Sequence, residues 1–218
     1  MTTLDHIVVA AQTLDEGSAY VEQALGLATS PGGKHLKMGT HNRLLNLGGG
    51  VYLEVIAIDP QGIPPDRPRW FGLDSQAIRE KLEAGPRLIH WVARTDDIHG
   101  ALERVPELGH VHRMSRGDLS WDITIPDDGS LLEGGLVPTL ISWGDTPHPT
   151  TRLPDAGCRL VGLRGFHPRP QQVAERLRKL GLEGALELVR GDAARLEARI
   201  EARGGLHVLS GPYPRDFQ

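Results

Sequence analysis

Two stretches of this chain are versions of one strand. Residues 3–11 read TLDHIVVAA and residues 87–95 read RLIHWVART. Each is an apolar run rich in β-branched residues, with leucine, one residue, then histidine. Aligned without gaps, Leu4 meets Leu88, His6 meets His90 and Val8 meets Val92, a spacing of 84 positions (90 − 6). The segments after the two strands also match. After the first comes TLDEGSAYVEQALGL, in which Thr13 and Glu16 have capping-box spacing. Leu14, Tyr20, Val21, Ala24 and Leu25 form a helical face there, and Gly26 ends it. After the second comes the helix candidate DDIHGALERVPELG, disturbed by Pro106. Both halves then carry strand signals: HNRLLNLGGGVYLEVIAID in the first, DLSWDITIP and LVPTLISW in the second. A period this long is no small solenoid repeat. It predicts a duplicated α+β module.

The duplication divides the chain. Two modules span about residues 1–60 and 87–145, joined by a Pro-rich connector over 60–86, and together form a unit of residues 1–148. Residues 149–218 hold a third, degenerate copy. CRLVGLRGFHP reads as a strand, RPQQVAERLRKLGL as an amphipathic helix, and ARLEARIEARGGLHVLSG as a hairpin about Gly204 and Gly205. No histidine stands where His6 would fall in that strand, so the third copy reads as structural. Covering a sheet edge and forming a homodimer contact are both open uses for it. The polar stretch SWGDTPHPTTRLPDAG reads as a linker, with His148 as a loop residue.

Alternate side chains of a strand share a face. His6 therefore points with Val8, and Glu54 points with Tyr52 and Ile56. A carboxylate inside VYLEVIAI is costly to bury without a cation or hydrogen-bond donors. If the modules pair about a pseudo-two-fold axis, His90 arrives from the other side. Two imidazoles and one carboxylate suit a divalent metal with open positions, Fe, Mn, Ni or Zn. Near them GGKHLKMGTHNRLL supplies His35, His41, Asn42 and Arg43. His35 and His41 are candidate general bases, while Asn42 and Arg43 can read carboxylate, carbonyl or phosphate oxygens. Trp70, Trp91 and Trp121 are candidates for a flat apolar wall against a ligand.

Composition narrows the class. A net charge of −4 gives no basic surplus for nucleic acid or an anionic membrane. The single cysteine, Cys158, rules out an intrachain disulfide and suits a reducing, cytoplasmic setting, where it reads as inert packing. The opening MTTLDHIVV lacks a basic n-region, and no apolar run is long enough to span a bilayer.

The stretches LDHIVVAAQTLDEG, GGKHLKMGTHNRLLNLGGGVYLEVIAIDP and RPRWFGLD resemble the glyoxalase-like family of the vicinal-oxygen-chelate superfamily. The likeness is strongest over residues 4–75 and continues through HWVARTDD and LISWGDTPHP. It implies paired βαβββ modules whose strands form a curved mixed sheet around a pocket. It also implies a metal-dependent lyase, isomerase or dioxygenase acting on a small oxygenated molecule, or metal-free binding of such a molecule. By position the resemblance makes His6, Glu54 and His90 the metal ligands, with Glu54 and His41 as catalytic residues. His35, Asn42, Arg43, Trp70, Trp91 and Trp121 would then contact substrate. The fourth ligand should lie on LVPTLISW, where Thr139, Leu140 and Ser142 are the matching choices and none is an acid. Either water completes a three-ligand site, Glu133 in the preceding loop substitutes, or the pocket has lost its metal.

Overall fold

The computed structural model describes residues 1–211; the end of the expected C-terminal module, 212–218, lies outside the described residues. The first module runs β1 (Thr3–Ala10), α1 (Leu14–Leu25), β2 (Ser30–His35), β3 (Thr40–Asn46) and β4 (Tyr52–Ile58). A 3-10 turn at Trp70–Gly72 and α2 (Gln76–Glu83) lie in the connector. The second module runs β5 (Arg87–Arg94), α3 (Ile98–Arg104), β6 (His110–Arg116), β7 (Leu119–Ile125) and β8 (Thr139–Ser142). The third runs β9 (Arg159–His167), α4 (Pro170–Lys179), β10 (Glu187–Arg190), β11 (Arg195–Ala202) and β12 (Gly205–Leu209).

Local sequence accounts for the helix limits. Thr13 accepts from the Glu16 amide while the Glu16 carboxylate accepts from the Thr13 amide, both at 3.2 Å. Gly26 closes α1 with φ 68°. Replacing Thr13 with alanine leaves one of these end amides without its side-chain acceptor. It should cost about 1 kcal/mol in urea denaturation. α3 stops two residues before Pro106, which starts a separate 3-10 turn.

The first two modules build one eight-stranded sheet in the order β2-β3-β4-β1-β5-β8-β7-β6. Its centre is the antiparallel pair β1/β5, where His6 faces Val92 and Val8 faces His90. Those two pairs exchange under the 84-residue correspondence, so the duplication is a real pseudo-two-fold. The register also settles the position opposite Glu54. Val8 pairs with Glu54 on β4, and its counterpart Val92 pairs with Thr139 on β8. Thr139 is therefore the counterpart of Glu54. Each central strand carries one extra residue, Asp5 in β1 and Ile89 in β5, and these too correspond.

The two faces of this sheet have different covers. On one face Ile7, Val9, Leu53 and Trp91 pack with α1, α3 and the third module in a single core. On the other, concave face Val8, Ile56, Val92 and Ile123 pack beneath Trp70, Phe71, Leu73 and Ile78 of the connector. The connector is therefore a lid of aromatic and aliphatic side chains, fixed by Arg69 on Asp74 at 2.8 Å. Phe71 holds φ 58°, a left-handed conformation rare for a bulky residue, so packing must hold it in place.

The third module repeats the βαβββ order but not the pairing. Its four strands lie β10-β9-β11-β12, with β9 parallel to β10 across α4. In the first module the opening strand pairs in parallel with the fourth instead. Leu163, Val173, Leu177 and Ile200 join the core of the large sheet, so this module is no independent unit. No helix among the described residues is long and apolar enough to cross a membrane.

Candidate functional site

The concave face holds a buried chamber beneath the connector. His6, Tyr52 and Glu54 line it from β1 and β4, His35 and Asn42 from β2 and β3, and Arg116 from the end of β6. Trp70, Phe71, Trp121 and Trp143 supply flat walls. The space between them is about 30 Å³ in this closed arrangement, the room of an ordered water, so a ligand enters only as a wall side chain moves aside.

Its polar groups are ordered by one carboxylate that sequence reading did not single out. Asp5 is fully buried. It accepts from His6 Nδ1 at 2.7 Å, from Trp143 Nε1 at 3.0 Å and from His148 Nε2 at 3.0 Å. Burial alone would raise its pKa. The hydrogen bonds and charges of His148 and His6 outweigh that and hold it well below the usual carboxylate range. An ionised Asp5 fixes the proton of His6 on Nδ1 and turns Nε2 towards Glu54, whose Oε2 is 3.7 Å away. Strict strand alternation sends Asp5 away from His6, and the extra residue in β1 brings them together. His148 is the loop residue expected from the sequence, and it is held in place at both ring nitrogens. It caps a 3-10 turn through its Nδ1 and holds Asp5 through its Nε2.

Asn42 organises the opposite wall, and its hydrogen-bonding capacity is used in full. Its Nδ2 donates to Glu54 Oε1 at 2.6 Å and to His35 Nε2 at 3.4 Å. Its Oδ1 accepts from the Gly33 amide at 2.9 Å and from an Arg116 guanidinium nitrogen at 2.8 Å. His35 donates its own ring proton to Thr40 Oγ1, at 3.0 Å. Burial, aided by the charges of Arg116 and His6, pushes His35 down to about 3. It is a neutral strut of the wall, and its one lone pair is occupied. Tyr52 stacks on the His6 ring at 4.5 Å, and burial with the charges of Asp5 and Glu54 pushes its phenol well above the ordinary range.

Four sequence candidates lie elsewhere. His41 and Arg43 alternate with Asn42 along β3 and leave by the opposite face. Arg43 pairs with Asp15 of α1 at 3.0 Å, and His41 faces the charges of Asp59, Lys34 and Arg43. Trp91 is fully buried in the helix-side core and donates its indole N–H to the Leu136 carbonyl at 3.0 Å. Glu133 also turns away. It pairs with His167 at 3.2 Å and Arg176 at 2.9 Å in the third module. Cys158 is buried packing, as its surroundings in sequence suggest, with Sγ 3.3 Å from the Asn46 carbonyl.

His90 reaches the concave face but is closed off. Its Nδ1 donates to the Gly135 carbonyl at 3.0 Å, and its Nε2 accepts from the Thr139 amide at 3.1 Å. Burial pushes it down to about 3. A metal at Nε2 would have to displace a backbone N–H. His6, Glu54 and His90 therefore do not fit a shared metal centre as they stand. Among the described residues no group of three or more His, Cys, Asp or Glu is arranged to hold a metal ion. At the positions of Asp5 and Glu54 the second module carries Ile89 and Thr139, and the Thr139 amide satisfies its histidine.

Known proteins share this architecture. A family model described as the glyoxalase-like domain matches residues 4–181. The crystal structure of a hypothetical protein from Staphylococcus aureus superposes with a TM-score of 0.63 at 15% identity, over 95% of this chain and 98% of that one. Methylmalonyl-CoA epimerase from Mycobacterium tuberculosis gives 0.41 at 19% identity, over 65% and 87%. The Streptomyces coelicolor methylmalonyl-CoA epimerase in complex with 2-nitronate-propionyl-CoA gives 0.42 at 18% identity, over 68% and 99%. No curated protein matches the chain.

Proposed function

Because this chain belongs to the glyoxalase-like domain family, we propose that its concave-face chamber takes a small oxygenated organic molecule and moves a proton on it, with Glu54 and His6 as the acid–base pair. The observation that carries this reading is the alignment of Asp5, His6 and Glu54. Asp5 fixes the imidazole, Nε2 faces the Glu54 carboxylate, and both groups line a water-sized chamber walled by indoles. Two adjacent proton carriers in a nearly dry site favour transfer at a carbon next to a carbonyl.

In that step the C–H bond breaks and its proton passes to the Glu54 carboxylate. The electron pair moves onto the carbonyl oxygen as an enolate, and the proton returns to carbon to give an isomer or the exchanged substrate. The Trp70 indole N–H belongs to a ring on the chamber wall and is buried without a hydrogen-bond partner among the described residues. A substrate oxygen would satisfy it. A divalent ion held jointly by His6, Glu54 and His90 is not part of this reading, because His90 gives its lone pair to Thr139.

Solvent deuterium exchange into a panel of small ketones, esters and oxo acids, followed by NMR, tests the reading. At least one compound should exchange, and Glu54→Gln should slow it about a hundredfold with the fold intact. Exchange that survives in both Glu54→Gln and His6→Gln would overturn it, as would exchange that appears only with added Mn, Ni, Zn or Fe(II) and disappears in His90→Ala. The second reading is sequestration without turnover, favoured by the four aromatic walls. Saturable binding without exchange in any compound would select it.

A further inference from the structure

The sheet curls until its edge strands β2 and β6 approach each other, and Arg116 lies across that seam. Its stem passes over Gly33 of β2, where even a methyl group would come within 2.7 Å of Arg116 Cδ. Its head donates to Asn42 of β3. Beside it, Lys37 of the β2–β3 turn donates to the Arg113 carbonyl at 2.9 Å and closes the seam further. Outside the seam lies an open groove of about 520 Å³, a volume that suits a small organic ligand. Arg116 lines both the groove and the chamber, so it is the wall between them.

The other cations of that groove are neutralised. Lys34 pairs with Asp59 at 2.8 Å and Arg152 with Asp118 at 2.7 Å. Arg116 has no carboxylate partner among the described residues; its acceptor is the neutral Asn42 amide oxygen. The Glu54 carboxylate of the chamber is held by Asn42 and not by the guanidinium itself, so the half-buried Arg116 has donors to give, and its planar fork matches a carboxylate with two parallel N–H bonds. Apolar surface flanks it in the groove from Leu36, Leu44, Leu119 and Leu153.

We infer that the ligand of this site is a small organic carboxylate, its anionic head held by Arg116 at the seam and its apolar body along the groove's leucines. The inference rests on the proposed use of the chamber, and it names the substrate class. The carboxylate would replace the Asn42 oxygen as acceptor and so release the bond that seals groove from chamber, opening the path by which the carbon next to the head reaches Glu54 and His6.

Calorimetric titration of 4-methyl-2-oxopentanoate and phenylpyruvate, each against its neutral amide, tests this. The acids should bind at least tenfold tighter than their amides. Arg116→Gln should abolish that difference, weakening the acids at least tenfold and the amides less than twofold. Arg116→Lys, which keeps the charge without the fork, should fall between. Circular dichroism of both variants checks the fold. Equal affinity of acid and amide, discrimination retained in Arg116→Gln, or no binding of either form would each overturn the inference. Deuterium exchange at C3 of the bound acids is read separately. Arg116-dependent binding without exchange upholds the carboxylate site and removes the proton-transfer reading.

Discussion

Asp5→Ala should destabilise this protein by roughly 3–5 kcal/mol, the usual consequence of removing one partner of a buried ionic cluster. The reason is the count of donors. His6 Nδ1, Trp143 Nε1 and His148 Nε2 all point at the two oxygens of one fully buried carboxylate. Alanine leaves the buried His6 N–H and the half-buried Trp143 and His148 N–H groups without their acceptor. Asp5→Asn is the sharper variant. It keeps the shape but offers one acceptor oxygen and turns an NH₂ towards a donor. It should fold with a smaller loss, yet release the His6 tautomer and so weaken proton transfer at Glu54 and His6. Urea denaturation at neutral pH reads the first effect and deuterium exchange the second. A loss under about 1 kcal/mol in Asp5→Ala would show that the donors find other partners, and the role given to Asp5 would fall.

The second large effect is on acid stability. His35 and His90 are held neutral, with pKa values pushed from 6.5 down to about 3 by burial. As pH falls below 6.5 the unfolded chain binds protons at both positions and the folded chain does not. Unfolding is therefore favoured, and stability declines with falling pH until about pH 3, where the folded histidines also titrate. By pH 4 the two should cost on the order of 3 kcal/mol each. Asp5 acts in a different window. Its pKa is depressed, so its contribution is complete above the ordinary carboxylate value of 3.8 and is lost only at lower pH. The decline between pH 6.5 and 4 thus belongs to the histidines, chiefly His35 and His90, with His41 and His112, also lowered by burial, adding in the same direction. Denaturant midpoints measured across pH 4–8 should show it, and His90→Gln should reduce the slope by about one proton. An unchanged slope in His90→Gln and in His35→Asn would falsify this assignment.

Much of the architecture was legible in the chain because it rests on short-range physics. Thr13, Glu16 and Gly26 mark the ends of α1, and Pro106 ends α3 early. The matched strands around His6 and His90 foretold the pseudo-two-fold that the β1/β5 register contains. The weak edge strands β2 and β6 were not legible. SPGGKH and HVHRMSR lack apolar alternation, since much of each faces solvent and is fixed by its neighbour strand. His35, Asn42, Glu54, Trp70 and Trp121 were identified among site residues and do meet at the chamber. Arg116 was not, because its role depends on the curl that carries β6 to β2, and no sequence pattern encodes that approach.

By itself the sequence determined that two similar modules would pair and which face of β1 and β4 would carry His6 and Glu54, since strand periodicity and a repeated pattern are local properties. It could not decide which of the two histidines would face a carboxylate. That was decided by two extra residues and one register. The bulge at Asp5 turns a carboxylate onto His6, and the equivalent bulge at Ile89 turns a hydrocarbon towards the concave face. The parallel register of β5 and β8 sets Thr139 opposite Val92, where its amide takes the lone pair of His90. Two histidines that look alike in the chain therefore differ in the fold. One is aimed at Glu54 by an ionised partner, and the other is satisfied by backbone and buried neutral.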